Sequence, residues 1–202
     1  MIIRCNVTRF INEVIKKGEY RFLFHYPVVI DIGANIGTFS MFIYDFADKI
    51  YAIEPAPDNY DLLSKNVKEN NLTKIKTFKE AIACNTGTRE MRMSGSAGGG
   101  GWNIVDYTGP KDEYQPTRAI TLEGFMEREK IDYIDLVKID TEGAEKEMFE
   151  DTTFPFDKIG TIICEFHHSN YSEKDRGFYK SILEGKGFTY HETSNKFLAR
   201  KK

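Results

Sequence analysis

The residues best suited to chemistry sit where short apolar segments end. Asp31-Ile32-Gly33-Ala34-Asn35-Ile36-Gly37 follows "PVVI", Glu54 closes "KIYAIE", and Glu80 falls within "KIKTFKEAIA". Further on, Lys138 and Asp140 lie in "VKIDTEGAE", and Glu165 and His167 in "CEFH". A glycine-rich turn lets backbone N–H groups approach a ligand closely, but it does not choose the ligand. Spacing and charge narrow the choice. The turn has neither the G-x-G-x-x-G of a dinucleotide site nor the G-x-x-x-x-G-K-[ST] of a phosphate loop, and Asp31 at its entrance is a poor neighbour for pyrophosphate. A carboxylate there suits a ligand carrying an ammonium group, met directly or through water. Glu54 is placed to accept bonds from both hydroxyls of a ribose, and Glu80 from an adenine amino group. Together these acids and glycines describe S-adenosylmethionine better than NAD. An NAD-dependent oxidoreductase built on the same unit, and a non-catalytic module that keeps the cofactor pocket, remain as alternatives.

The elements that must position these residues can be read from hydrophobic periodicity. An amphipathic helix over about Val7 to Lys17 opens the chain. "PVVID" reads as a first strand, "TFSMFIYDFA" as a helix and "KIYAIE" as a second strand, which makes a βαβ unit. "PDNYDLLSKNVKENN" is a second helix with Tyr60, Leu63 and Val67 on one stripe, and "KIKTFKEAIA" is the third strand and its exit. "IDLVKID", the helix "GAEKEMFED", "IGTIICEFH", the helix "SEKDRGFYKSILEGKG" and a hairpin in "FTYHETSNKFLAR" complete the alternation. Such an order predicts a mainly parallel sheet covered on both faces, with ligands at the C-terminal ends of its strands. Residues 86–121 break the rhythm. That segment holds short β-like pieces in "TREMRM" and "TRAITL" and the run "SGSAGGGGWN", and reads as an insertion within one domain spanning residues 1–202, after an N-terminal helical segment over 1–26.

The chain has 202 residues with 41% hydrophobic content, enough for one substantial core. Its net charge of -3 gives no basic surface of the kind nucleic acid requires. No apolar run approaches a membrane span and the N-terminus lacks a signal-peptide core, so a cytoplasmic location without a membrane partner is the expectation. The three cysteines, Cys5, Cys84 and Cys164, are widely spaced and imply neither a disulfide framework nor a zinc ribbon.

The stretches "VVIDIGANIGTFS", "IYAIEPAPDNYDLLSKNVKENN", "EAIA", "VKIDTEGAE" and "CEFH", in that order, resemble the FkbM-type methyltransferase family within the seven-stranded S-adenosylmethionine-dependent class. The resemblance covers roughly Pro27 to His167. It implies a Rossmann-like, doubly wound α/β fold with sheet order 3-2-1-4-5-7-6 and strand seven antiparallel, and methyl transfer usually to a hydroxyl oxygen of a small molecule or glycan. It places Asp31, Gly33, Asn35 and Gly37 around the methionine portion, Glu54 on the ribose, and Pro55, Glu80 and Ala81 near adenine.

The resemblance also implies that the reacting sulfonium and acceptor meet at the C-terminal end of the fourth strand, where the strand period sorts the residues by face. Lys138 and Asp140 share one face, as do Glu165 and His167 on the next strand. A buried Lys138 needs a carboxylate, with Glu165 or Asp31 as the expected partner. Asp140, Glu165 and His167 are the catalytic candidates, able to orient an acceptor hydroxyl or take its proton. Their oxygen and nitrogen atoms also suit a divalent ion, although no ligand spacing assigns one. Glu145 is expected to complement the dipole of the helix it starts. Glu142, nearer the strand mouth, is a substrate-side candidate. Trp102 is the other, on a glycine-hinged loop that could cover the site.

Overall fold

The computed structural model describes residues 24–94, 101–104, 114–165, 173–192 and 196–202, with the backbone alone at 92–94, 101–104, 114, 173 and 174. The N-terminal helix expected within residues 1–26 lies almost wholly outside the described residues. Tyr26, its last residue, already belongs to the first strand.

Two sheets are formed. The larger has seven strands: β1 (Tyr26–Ile32), β2 (Ala47–Ile53), β3 (Ile75–Phe78), β8 (Ile134–Ile139), β9 (Ile159–Glu165), β10 (Phe188–Glu192) and β11 (Lys196–Lys201). Their spatial order is β10-β11-β9-β8-β1-β2-β3, with β11 antiparallel to β9 and β10. Counted along this sheet, that is the expected 3-2-1-4-5-7-6. β1 pairs in parallel with β2 on one side and β8 on the other. The chain therefore winds away from β1 in both directions, and the crevice above this reversal is where such sheets bind ligands.

Period two sends alternate residues of the central strands to opposite faces. Ile30, Ile32, Val137, Ile139, Ile162 and Cys164 join a core that includes Phe125, Phe149 and Phe197. Val29, Leu136 and Ile163 face the other core, which holds Phe39 and Met41 of α1 (Thr38–Phe42) and Leu63 of α2 (Pro57–Glu69). Asp31 and Lys138 stand in register on this second face, just past the apolar residues. Two charged groups thus end a hydrophobic column at the C-terminal rim of the sheet.

The segment read as an insertion is a sheet in its own right. β5 (Gly87–Ser94), β6 (Gly101–Ile104) and β7 (Tyr114–Ile120) combine with β4 (Ala81–Ile82) in the order β4-β7-β5-β6. "TREMRM" and "TRAITL" fall largely in β5 and β7. Of "KIKTFKEAIA", read as the third strand and its exit with Glu80 at the strand end, the strand stops at Phe78. The chain leaves the main sheet at Lys79 and Glu80, and Ala81–Ile82 pairs with Ala119–Ile120 of β7.

Helix α3 (Leu122–Glu129) was not anticipated within the irregular segment or after it. Its start is marked by Thr121, whose Oγ1 accepts a hydrogen bond from the N–H of Gly124 at 3.1 Å. Leu122, Phe125 and Met126, at helical spacing, are buried. Each contributes about 1.5–3 kcal/mol of burial free energy. Helices α4 (Glu145–Glu150) and α5 (Glu173–Gly185) complete the covering layers. Among the described residues no helix is long and apolar enough to cross a membrane.

Candidate active site

The first turn is built by backbone geometry that only certain residues permit. The N–H groups of Gly33 and Ala34 both donate to the carbonyl of Ile53 at 3.0 Å, fastening the turn to the end of β2. Gly33 has φ +72°, and a Cβ there would lie 1.7 Å from the carbonyl oxygen of Asp140. Glycine is thus required because the first turn crosses directly beneath the exit of β8. Gly37 has φ +90°, and a Cβ there would lie 2.6 Å from Leu63 Cδ1. Its role is to seat α2, and it does not line the cleft between the strand ends.

That cleft opens to solvent between the strand ends. Gly33 and Asn35 contribute from the first turn; Glu54, Pro55 and Asn59 from the end of β2 and the start of α2; Glu80, Ala81 and Ile82 from the crossing to the second sheet; and Asp140, Thr141 and Glu142 from the exit of β8. The structure therefore brings together most of the residues expected from the sequence, including the cofactor-side Pro55 and Ala81 and the substrate-side Glu142.

Glu54 is buried in the cleft wall. Its Oε2 accepts from the N–H of Asn35 at 2.8 Å and its Oε1 from the N–H of Ala56 at 2.9 Å. Burial raises its carboxyl above the usual range, against the pull of those two bonds. The Asn59 side chain also hydrogen-bonds this carboxylate. Asn35 reaches this arrangement with φ 52°, a left-handed conformation that asparagine tolerates better than most residues.

Two expectations change. Asp31 does not line the cleft. It is fully buried, its Oδ2 accepts a 2.6 Å hydrogen bond from Ser40 Oγ, and its Oδ1 lies 3.4 Å from Lys138 Nζ. Burial pushes its carboxyl up, opposed first by the Lys138 charge. Asp31 thus underpins the turn from behind. Glu80 does line the cleft, but Arg128 engages both of its oxygens and Arg118 Nε approaches at 3.7 Å. Arg128 in turn lies over the rings of Phe125 and Phe78. The carboxylate expected to meet an adenine amino group is already committed to an arginine supplied by α3, the helix that sequence reading did not identify.

At the reaction side, Lys138 Nζ donates to the Gly33 carbonyl at 2.9 Å and meets Asp140 Oδ2 at 2.9 Å. Of its two expected partners, Asp31 lies 3.4 Å away. Glu165 instead faces Lys196 of β11, at 3.5 Å and directly opposite in register. Glu145 does more than complement a dipole. It is buried, and its Oε1 accepts from the N–H groups of Thr141 at 2.9 Å and Gly143 at 3.3 Å. These bonds hold a turn in which Glu142 has φ 56° and Gly143 has φ 124°. Glu142 and Thr141 reach the cleft because Glu145 closes this turn.

Thr141 and Asn59 were missed from sequence. Thr141 Oγ1 is buried with no hydrogen-bond partner among the described residues, although its place between Asp140 and Glu142 was a usable signal. His167 lies outside the described residues, as do residues 95–100, which hold three of the four consecutive glycines. Trp102 is described by its backbone alone, paired with Met93 in β6. β6 is three strands from the cleft-lining β4, about 14 Å across the ladder. Among the described residues no group of three or more His, Cys, Asp or Glu side chains is arranged to hold a metal ion.

Known methyltransferases are similar to this chain. A methyltransferase sdnD of Sordaria araneosa is 42% identical over 66 residues, covering 31% of this chain and 25% of that protein. The hexuronic acid methyltransferase AglP of Haloferax volcanii is 25% identical over 140 residues, covering 69% of this chain and 56% of that protein. The chain thus spans little more than half, or less, of the curated relatives it matches. A crystal structure of methyltransferase FkbM from Methylobacillus flagellatus superposes with a TM-score of 0.59 at 18% identity, covering 92% of this chain and 46% of that one. The model of the methyltransferase FkbM domain matches residues 31–194, from the acid of the first turn to the final hairpin, and the chain belongs to that family.

Proposed function

We propose that this chain is an S-adenosylmethionine-dependent methyltransferase acting on a hydroxyl oxygen of a small molecule or glycan. The observation that carries the reading is the cleft itself. A glycine turn anchored to Glu54 and the strand exit bearing Asp140, Thr141 and Glu142 converge across Gly33. Family membership favours S-adenosylmethionine over the NAD reading, and the residues present fit the cofactor. Glu54 offers oxygens to a ribose, and the buried Thr141 hydroxyl offers a further polar contact. Pro55, Ala81 and Ile82 provide apolar surface for a nucleobase.

When bound, the cofactor supplies an electrophilic methyl group on a sulfonium that becomes a neutral thioether. The protein's contribution is chiefly placement. Asp140, held by Lys138, is a weak base in a fixed position, suited to accept the acceptor's O–H hydrogen bond and keep its lone pair aligned. His167, two residues beyond β9, is proposed as the group that takes the proton, and Glu165 as its neighbour in this work. Trp102 and Glu142 are proposed on the acceptor side. A hydroxyl-bearing acceptor fits a rim of Glu54, Asp140 and Glu142 better than a polyanion does. The name of the Haloferax relative supports a sugar-type acceptor. Calorimetry with S-adenosylhomocysteine, followed by a radiolabelled methyl-transfer screen over hydroxylated metabolites and glycans with and without divalent ion, tests this. Absence of binding by either the cofactor or its product refutes it.

A further inference from the structure

We infer that Lys138 is a charge-balancing residue of the cofactor site, one that sets how strongly the site favours a cationic cofactor over its neutral product. The inference rests on the proposed function. Lys138 Nζ is held by three groups that border the cofactor turn: the Gly33 carbonyl at 2.9 Å, Asp140 Oδ2 at 2.9 Å and Asp31 Oδ1 at 3.4 Å. It is buried, as is Asp31, while Asp140 opens onto the cleft. Two carboxylates and one ammonium leave one net negative charge beneath the crossing of the first turn and β8. Without the ammonium the cleft-facing Asp140 carboxylate would lose its cation, and the buried Asp31 carboxyl would be pushed further up.

An ammonium in this place costs desolvation, and a neutral apolar side chain of similar length would fill the same space. Its charge therefore calls for an account beyond packing. Methyl transfer discharges a sulfonium, so a more negative site stabilises the starting cofactor more than the transition state in which that charge is dispersing. Lys138 offsets this. It lets the Asp140 carboxylate serve as a fixed acceptor without turning the site into a trap for the cation. Because Lys138 also bonds the Gly33 carbonyl, the balancing charge is fixed to the turn.

S-adenosylmethionine and S-adenosylhomocysteine differ by one methyl group and one positive charge, so the ratio of their affinities reports the potential at the sulfur. Calorimetry on the full chain should show that Lys138→Met raises the preference for S-adenosylmethionine by about fivefold, the scale of one charge acting through a partly polar medium. Asp140→Asn, which leaves the shape of the site intact, should lower that preference by a similar factor. Opposite movements cannot arise from a loosened fold, which weakens both ligands alike. If Lys138→Met does not fold, Asp140→Asn decides alone. A ratio that stays within about twofold of the wild-type value in the folded variants overturns the inference and leaves the proposed function standing. Failure of the wild-type chain to bind either ligand overturns both.

Discussion

Gly33→Ala places a methyl group where the structure already has a backbone. The new Cβ would stand 1.7 Å from the carbonyl oxygen of Asp140 and 2.8 Å from its carbonyl carbon. Neither atom belongs to a flexible side chain, so the first turn and the exit of β8 must separate. The left-handed φ of +72° adds about 1–2 kcal/mol, and relieving the overlap adds roughly 1–3 kcal/mol. The expected loss is therefore about 3 kcal/mol, measured by urea unfolding. The separation also pulls the Gly33 carbonyl from Lys138 and spreads the two walls of the cleft, so affinity for S-adenosylhomocysteine should fall tenfold or more, about 1.4 kcal/mol at the lower bound. Gly177→Ala is the control. Gly177 lies exposed in α5 with no neighbouring atom within 4 Å of an added Cβ, and alanine there should stabilise by about 0.5–1 kcal/mol. Gly33→Ala with wild-type stability and wild-type ligand affinity would refute the account of the crossing.

Glu54 and Glu80 should separate by function. Because burial raises the Glu54 carboxyl, protonation begins above the usual carboxylate range as pH falls, and affinity for S-adenosylhomocysteine should weaken there while Glu54→Gln binds weakly at every pH. The sign for stability is opposite. A raised folded-state value means the folded protein takes up this proton more readily, so the group's contribution to stability falls as pH rises through that window, and a pH series of urea unfolding that shows the reverse change between wild type and Glu54→Gln contradicts the assignment. Glu80→Gln should affect ligand affinity much less than Glu54→Gln, since Arg128 already engages its carboxylate. Arg128→Met should instead cost about 2 kcal/mol of stability by leaving that buried carboxylate to the more distant and exposed Arg118, and a double-mutant cycle of Arg128→Met with Glu80→Gln should show strong coupling.

Much of the site was legible because its logic is local. Glycine at 33 and 37, an acid ending β2 and the alternation of short apolar strands with amphipathic helices are properties of neighbouring residues, and they carried the class of fold and Glu54 of the cleft wall, while the strand order, Pro55 and Ala81 came with the family resemblance. What stayed hidden depended on contacts between distant segments. Helix α3 is only eight residues long and follows an irregular stretch, so its short stripe of Leu122, Phe125 and Met126 did not stand out, and with it went the arginine that claims Glu80. Asp31 and Glu54 look alike in sequence, each an acid at the end of an apolar strand. Yet the first is sealed against Ser40 and Lys138 while the second faces the cleft. Lys138 had two carboxylates on candidate neighbouring strands, and the β9–β11 register gave Glu165 to Lys196.

The sequence by itself determined the class of fold, the order of its elements and the chemical types gathered at the strand ends, because periodicity and turn chemistry act over a few residues. Only the tertiary structure decided which charges meet. Residues 31, 138 and 140 come within reach of one another through parallel pairing of β1 with β8, a contact across more than a hundred residues of chain. Pairing energy in a buried cluster depends on distance and desolvation, and neither is written in local sequence.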